Sequence, residues 1–245
     1  MRVVAGIIGG TGIGDRLLEL GGVPIHIPTA FGLVRGRRVE VEGHPVFVMS
    51  RHSAGHKVPP HKVNYRAMAV GLRALGCRLC LSTAAVGSLR EDWTSGTLAI
   101  CSDFLDLTAR NVTLFNREVV HTDFSQPFGP VCRGALLESA KTCGLHVERQ
   151  AVYVNGNGPR YETPYEVAMY RRLGADVVGM TAASEAIAMR EAGIDYACVS
   201  VVTNMACGIV TAPLTHDEVV AEMSRAGERT VLLLTQAVLS LAVRT

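Results

Sequence analysis

A chain of 245 residues with 48% hydrophobic and 19% charged side chains can bury one sizeable core, and no linker, repeat or low-complexity tract divides it, so residues 1–245 read as a single domain. Lys plus Arg number 24 against 22 Asp plus Glu; the net charge of +2, with no long basic run, excludes a nucleic-acid footprint but leaves room for a small anion held by a local pair of cations. The first apolar run reaches glycines too soon for a secretory signal and no apolar stretch attains the roughly 18 residues of a membrane span, so no membrane partner is expected and the cytoplasm is the expected location.

Short β-branched runs alternate with longer amphipathic ones, the pattern of an α/β protein with a largely buried sheet. The first strand is expected over residues 3–8 and runs into Gly9-Gly10-Thr11-Gly12-Ile13-Gly14. This is no dinucleotide fingerprint: the spacing is not G-x-G-x-x-G, residues 15–20 are short for the helix that should follow, and no acid stands about 20 residues on to hold a ribose. It is no P-loop either, for want of a G-K-S/T ending. What survives is either a tight turn or a cradle in which bare backbone and the Thr11 hydroxyl approach an anion.

Further strands are expected at 23–27, 38–42 and 45–49, the last leading into Arg51-His52. An arginine at a strand end offers a planar fork for two phosphate oxygens and the neighbouring histidine a third donor, unless the pair is a solvated rim. His56, Pro59-Pro60-His61 and Asn64-Tyr65 follow, too polar and constrained for a plain connector. A helix is expected over 63–75, stopped by Gly76, then a strand over 79–83. Cys77 and Cys80 begin that region at a zinc or redox spacing, but no second pair completes a tetrahedral site, so no metal is expected; the seven scattered cysteines read as reduced core residues.

A strand over 97–106 precedes residues 108–130, which lack periodicity and exceed an ordinary connection, marking an insertion with a role or a mobile loop. Helices follow over 131–143, 163–173, 184–192 and 215–243, with Gly144, Gly174 and Gly193 as stops, and strands over 147–154, 176–180 and 197–203. Thr11, Arg51-His52, Thr83-Ala84, Thr181 and Asn204 fall at strand ends, where open α/β sheets bind ligands.

Six stretches, in order along nearly the whole chain, resemble the motifs of the purine nucleoside and methylthioadenosine phosphorylases. They are Ile8-Gly9-Gly10-Thr11-Gly12, Ser50-Arg51-His52, residues 61–67, residues 83–89, Gly158-Pro159-Arg160-Tyr161-Glu162-Thr163, and residues 179–185. The resemblance implies a three-layer α/β/α sandwich around a mixed β-sheet, a homotrimer or dimer of trimers with each site completed by a neighbour, and phosphorolysis of purine nucleosides to base and ribose 1-phosphate. Inorganic phosphate is then the co-substrate and no cofactor is implied. The same resemblance places Thr11, Arg51, His52, Ala84, Ala85 and Thr181 around phosphate, Met180 against the ribose, and Ala85, Val86 and Tyr161 around the base. His121 falls in the region that reaches the adjacent subunit's site.

Breaking an N-glycosidic bond requires an anion beneath a sugar that becomes cationic and a polar group that absorbs charge on the departing purine. Arg51 and His52 are the catalytic candidates for the first task and Asn204 for the second. Phosphate is itself the nucleophile, so no serine or cysteine triad is needed, and none is found. Within the resembling family, adenine-type members carry aspartates at the positions of Asn204 and Ala206 and a serine at that of Glu162, whereas 6-oxopurine members carry Asn and Glu. Asn204 would donate to the 6-oxo group and Glu162 accept from the protonated ring nitrogen; an unmatched buried polar group costs about 1–3 kcal/mol, which sets the discrimination. The plainer reading of Glu162 is a helix-start acid before Thr163.

His216 stands where purine nucleoside phosphorylases place a histidine for the 5′-hydroxyl and methylthio members an apolar residue; its plainer reading is a first-turn helix residue facing water. Inosine and guanosine are therefore the expected substrates. A methylthioinosine or methylthioadenosine phosphorylase is the nearest alternative, and a non-catalytic nucleotide-binding module or a metal-dependent hydrolase the alternatives from other classes.

Overall fold

The computed structural model describes residues 3–53, 55–210 and 215–243. Its centre is a nine-stranded mixed sheet. Strand β1 (Ala5–Gly9) lies parallel to β4 (His44–Ser50) on one side and to the first half of β5 (Leu79–Ser88) on the other. The antiparallel strands β2 (Val23–Thr29) and β3 (Gly32–Val41) extend the sheet beyond β4. The second half of β5 joins β8 (Val177–Gly179), β7 (Glu148–Asn155), β6 (Leu98–Asp106) and β9 (Asp195–Met205), and β9 pairs back onto β5. Those five strands close a ring, while the rest of the sheet stays open.

Both faces of the open part are covered, as alternation along its strands requires. Ile7, Val46, Val48 and Leu81 pack with helices α1 (Ile13–Glu19), α3 (Pro130–Thr142) and α6 (His216–Ala242). Ile8, Phe47, Met49 and Cys80, one residue out of phase, pack with α2 (Tyr65–Ala74) and α5 (Ala182–Glu191). Helix, sheet and helix make the three expected layers. A last helix, α4 (Pro164–Arg172), seats Val167 and Tyr170 against Val154, Val178 and Ala206.

Helix ends are set locally. Thr163 and Thr215 each accept from the backbone N–H three residues on, and Glu166 and Glu218 reach back to the cap amide, closing a capping box on α4 and on α6. Gly76 and Gly144, at φ +73° and +64°, take the left-handed conformation that ends α2 and α3.

Three elements differ from expectation. Residues 13–19 form a short helix, packed through Ile13 and Leu17. Strand β3 spans Gly32–Val41 rather than 38–42. Strand β5 runs on to Ser88, because β9 supplies a partner along its whole length that the small residues 83–88 do not advertise. Ala84 is therefore inside a strand, not at its end.

The length of β5 creates the crevice. Its pairing with β1 ends at Ser82 and its pairing with β8 begins at Gly87. Over residues 83–86 that edge of β5 has no strand beside it, and the chains diverge around an opening.

Candidate active site

A cavity of about 410 Å³ fills this divergence, lined by Ala85, Val86 and Gly87 of β5 and by side chains from every strand end nearby. Thr11, Arg51, His52 and Thr181 line it, as do Tyr161, Glu162, Met180, Asn204, Ala206 and His216. Residues separated by up to two hundred positions thus share one space. Two expected residues are not part of this lining: Ala84, whose backbone was the expected phosphate contact, packs its side chain into the core, and exposed His121, expected at a neighbouring subunit's site, lies on the irregular segment 107–129.

Arg51 is buried and fixed. Its Nε and Nη2 donate to the two carboxylate oxygens of Glu185 at 2.5 and 2.8 Å, and Nη1 donates to the Thr83 carbonyl at 2.8 Å. The Thr83 carbonyl is free to accept because the edge of β5 facing β1 has no strand partner there. Burial opposes the Arg51 charge, but Glu185 and its hydrogen bonds outweigh it and keep the guanidinium protonated. Three of the five guanidinium N–H groups are engaged, which leaves two, one on each terminal nitrogen. A Cβ built on Gly10 would stand 2.7 Å from Nη1, so the bare glycine keeps that side clear. Tyr196 donates to Glu185 at 2.6 Å and lies 2.6 Å from the Ser82 hydroxyl, so the pair is held from behind by a buried polar chain.

His52 departs from expectation. Its Nδ1 lies 2.7 Å from the Val58 carbonyl, which only accepts, so Nδ1 carries the ring proton. Burial, reinforced by the Arg51 charge, pushes its pKa down to about 3, and the ring is neutral. Nε2 is then a bare acceptor rather than a third donor to phosphate, suited to a phosphate oxygen that still bears its proton. Beside it stand His56, with ring centroids 4.2 Å apart, and then His216, 5.4 Å from His56. His216 is exposed in the first turn of α6, yet it faces the cavity.

Thr181 takes the N-cap position of α5 without using its hydroxyl as a cap. The Tyr153 hydroxyl accepts from the backbone N–H of Thr181 at 3.1 Å and of Ala182 at 3.4 Å, fixing the helix start, while the Thr181 side chain lines the cavity. A Cβ on Gly179 would stand 2.1 Å from that tyrosine oxygen, so the approach depends on glycine.

Asn204 is set by a slip in register: Val86 pairs with Val202 but Gly87 with Asn204, so Thr203 is the extra residue that re-aims the strand end. Asn204 Oδ1 accepts from the Thr203 hydroxyl at 2.8 Å and Nδ2 donates to the Met205 carbonyl at 2.9 Å, leaving one amide N–H uncommitted. Glu162 is half-buried, and burial raises its carboxyl above the usual range. The nearby Arg160 is engaged by both oxygens of Glu166 at 2.7 and 2.8 Å, so among the described residues no cation pairs with Glu162.

Residues 5–239 match the family model described as the phosphorylase superfamily. This chain belongs to that family. It is 43% identical over 229 residues to a probable 6-oxopurine nucleoside phosphorylase of Dictyoglomus turgidum, covering 92% of this chain and 86% of the relative. It is 42% identical to a probable S-methyl-5'-thioinosine phosphorylase of Methanopyrus kandleri, covering 87% and 83%. A solved methylthioadenosine phosphorylase from Schistosoma mansoni in complex with adenine superposes with a TM-score of 0.94 at 29% identity, covering 99% of this chain and 93% of that one.

Several contributors escaped the sequence reading. Glu185 lay inside a recognised motif without a role; its position four residues after Thr181, one helical turn on, was the available signal. Tyr153, Tyr196 and Arg110 carried none, since their partners lie far away in the chain. Among the described residues no three His, Cys, Asp or Glu side chains group as metal ligands. Among the described residues no helix is long and apolar enough to cross a membrane.

Proposed function

We propose that this chain catalyses phosphorolysis of 6-oxopurine nucleosides, inosine and guanosine, releasing the free base and ribose 1-phosphate. The observation that carries the reading is the single cavity joining an arginine with two unspent N–H groups to a purine-sized wall bearing Asn204 and Glu162. Phosphate sits against Arg51, Thr11 and Thr181, with its protonated oxygen toward His52 Nε2. A second phosphate oxygen attacks the anomeric carbon as the bond to the purine breaks, and the electron pair passes into the base. Asn204 donates its free amide N–H to that developing charge, and Glu162 accepts from the ring N–H that only a 6-oxopurine carries. The reaction requires no cofactor, because its nucleophile is the co-substrate.

The active form in this reading is a homotrimer, working in the cytoplasm, in which His121 enters a neighbouring site. What supports it is exposed apolar surface beside His121: Val119 is 85% and Val120 44% exposed. A second reading, methylthioinosine phosphorylase, is favoured by Val219, an apolar residue of α6 that lines the cavity near His216.

Purine release from inosine, guanosine, adenosine and both methylthio nucleosides, with and without phosphate, tests the proposal. Inosine and guanosine are expected to turn over only with phosphate, with adenosine lower in kcat/KM by about 100-fold or more. Preference for methylthioinosine over inosine would move the chain to the second reading; preference for an adenine nucleoside would refute the roles given to Asn204 and Glu162.

A further inference from the structure

The nucleoside end of the cavity wall includes three separate pieces: the Pro59–Pro60 turn, the stretch from Gly156 to Glu162 that brings Pro159, Tyr161 and Glu162 to the lining, and Met180. None of the three is a regular element interior. One side chain reaches all three, two directly and the first through Tyr65, without lining the cavity. Arg110, from the irregular segment 107–129, donates through Nη1 to the Met180 carbonyl at 2.7 Å, the Ser184 hydroxyl at 3.2 Å and the Tyr65 hydroxyl at 3.2 Å. Through Nη2 it donates to the Gly156 carbonyl at 3.5 Å and to the Asn157 carbonyl. Tyr65 passes the connection on, donating to the Pro60 carbonyl at 2.8 Å.

The arrangement is built rather than incidental. Thr108 N–H bonds to Asp106 at the end of β6, and Arg110 N–H bonds to the Thr108 hydroxyl, so two consecutive turns aim the side chain inward. Beyond it, Glu191 accepts from Thr113 and from the Leu114 N–H, and Asp123 pairs with Arg190, tying the segment to α5. No carboxylate among the described residues pairs with Arg110; its charge is spent on carbonyl and hydroxyl oxygens. The fork's rigid geometry suits several fixed acceptors at once, which an ammonium on a flexible stem does not reproduce.

We propose that Arg110 is a positioning residue for the nucleoside half of the site, holding the Met180, Gly156–Glu162 and Pro60 walls at the spacing the ribose and base require. The inference rests on the phosphorolysis reading. It predicts a split: among the phosphate groups, Arg51 is anchored through Glu185 and Thr83 and the Thr181 backbone through Tyr153, and Arg110 bonds to none of these.

The test compares wild type, Arg110→Lys and Arg110→Ala in phosphate-dependent release of hypoxanthine from inosine, with thermal unfolding measured alongside. For Arg110→Ala, the KM for inosine is expected to rise by about tenfold or more while the KM for phosphate stays within about twofold. Millimolar guanidinium should restore inosine KM toward wild type in Arg110→Ala, and Arg110→Lys should fall between. Parallel loss of inosine and phosphate terms without guanidinium rescue would mean a general structural role and would overturn the proposal, as would an unaltered inosine KM. A wild-type protein with no phosphate-dependent release from any purine nucleoside would overturn the phosphorolysis reading first and this inference with it.

Discussion

Glu185 makes Arg51 usable. The carboxylate occupies one edge of the guanidinium and fixes its plane, so the unspent N–H groups hold set directions at the cavity wall, as the proposed phosphate contact requires. Both side chains are essentially inaccessible, and removing one charge strands the other. Glu185→Gln is therefore expected to cost about 3 kcal/mol or more in urea unfolding and to raise the KM for phosphate. A loss below about 1 kcal/mol would show that the pair does not anchor the site. At this scale the sequence exposed the donors and hid their supports. Arg51, Thr181 and Asn204 were legible because each stands at or just past a strand end, and Glu162 because it lies in the Gly158–Thr163 motif. Glu185 looked like an ordinary first-turn acid, and its arginine is 134 positions away. The His52 reading failed for a related reason: the Val58 carbonyl that claims its proton is a backbone atom, invisible in composition or spacing.

Elements were legible wherever their ends carry chemistry. The helices expected over 163–173 and 215–243 are found as Pro164–Arg172 and His216–Ala242, because a threonine capping box opens each and Gly174 follows the first, all local signals. The far half of β5 was not, since only a distant strand makes Thr83 to Ser88 extended. The cap on α6 also bears on the site, for His216 is the first residue after it. Thr215→Ala removes the acceptor for the Glu218 N–H and is expected to lower stability by about 1 kcal/mol. The same change should raise the KM for inosine more than that for phosphate, as the frayed first turn releases His216. Equal changes in both constants would separate His216 from the nucleoside.

Across the whole molecule, the buried neutral histidine makes stability depend on pH. Unfolded, His52 binds a proton near its ordinary pKa of 6.5; folded, it resists doing so until about 3. Protons therefore favour the unfolded chain throughout that window, and stability contributed by His52 is full above 6.5 and lost as pH falls toward 3. His56, also lowered chiefly by burial, acts in the same direction. Glu162, raised above 4.5 by burial, acts in the opposite one, closer to the carboxylate range. Melting temperature should thus decline between neutral pH and about pH 5, and the decline should be shallower in His52→Asn, whose amide keeps the donor to Val58 without the titration. Matching slopes in the two proteins would remove His52 from the explanation.

The ring formed by β5, β8, β7, β6 and β9 also decides how the protein meets other copies of itself in crowded solution. A closed ring has no terminal strand, so in the order of the described strands β2 alone stands at an outer edge where a stray strand could add. Proline occupies two positions of that strand, Pro24 and Pro28, and each withholds the N–H that intermolecular sheet growth would need. Among the described strands the terminal border of the sheet is in this way already blunted.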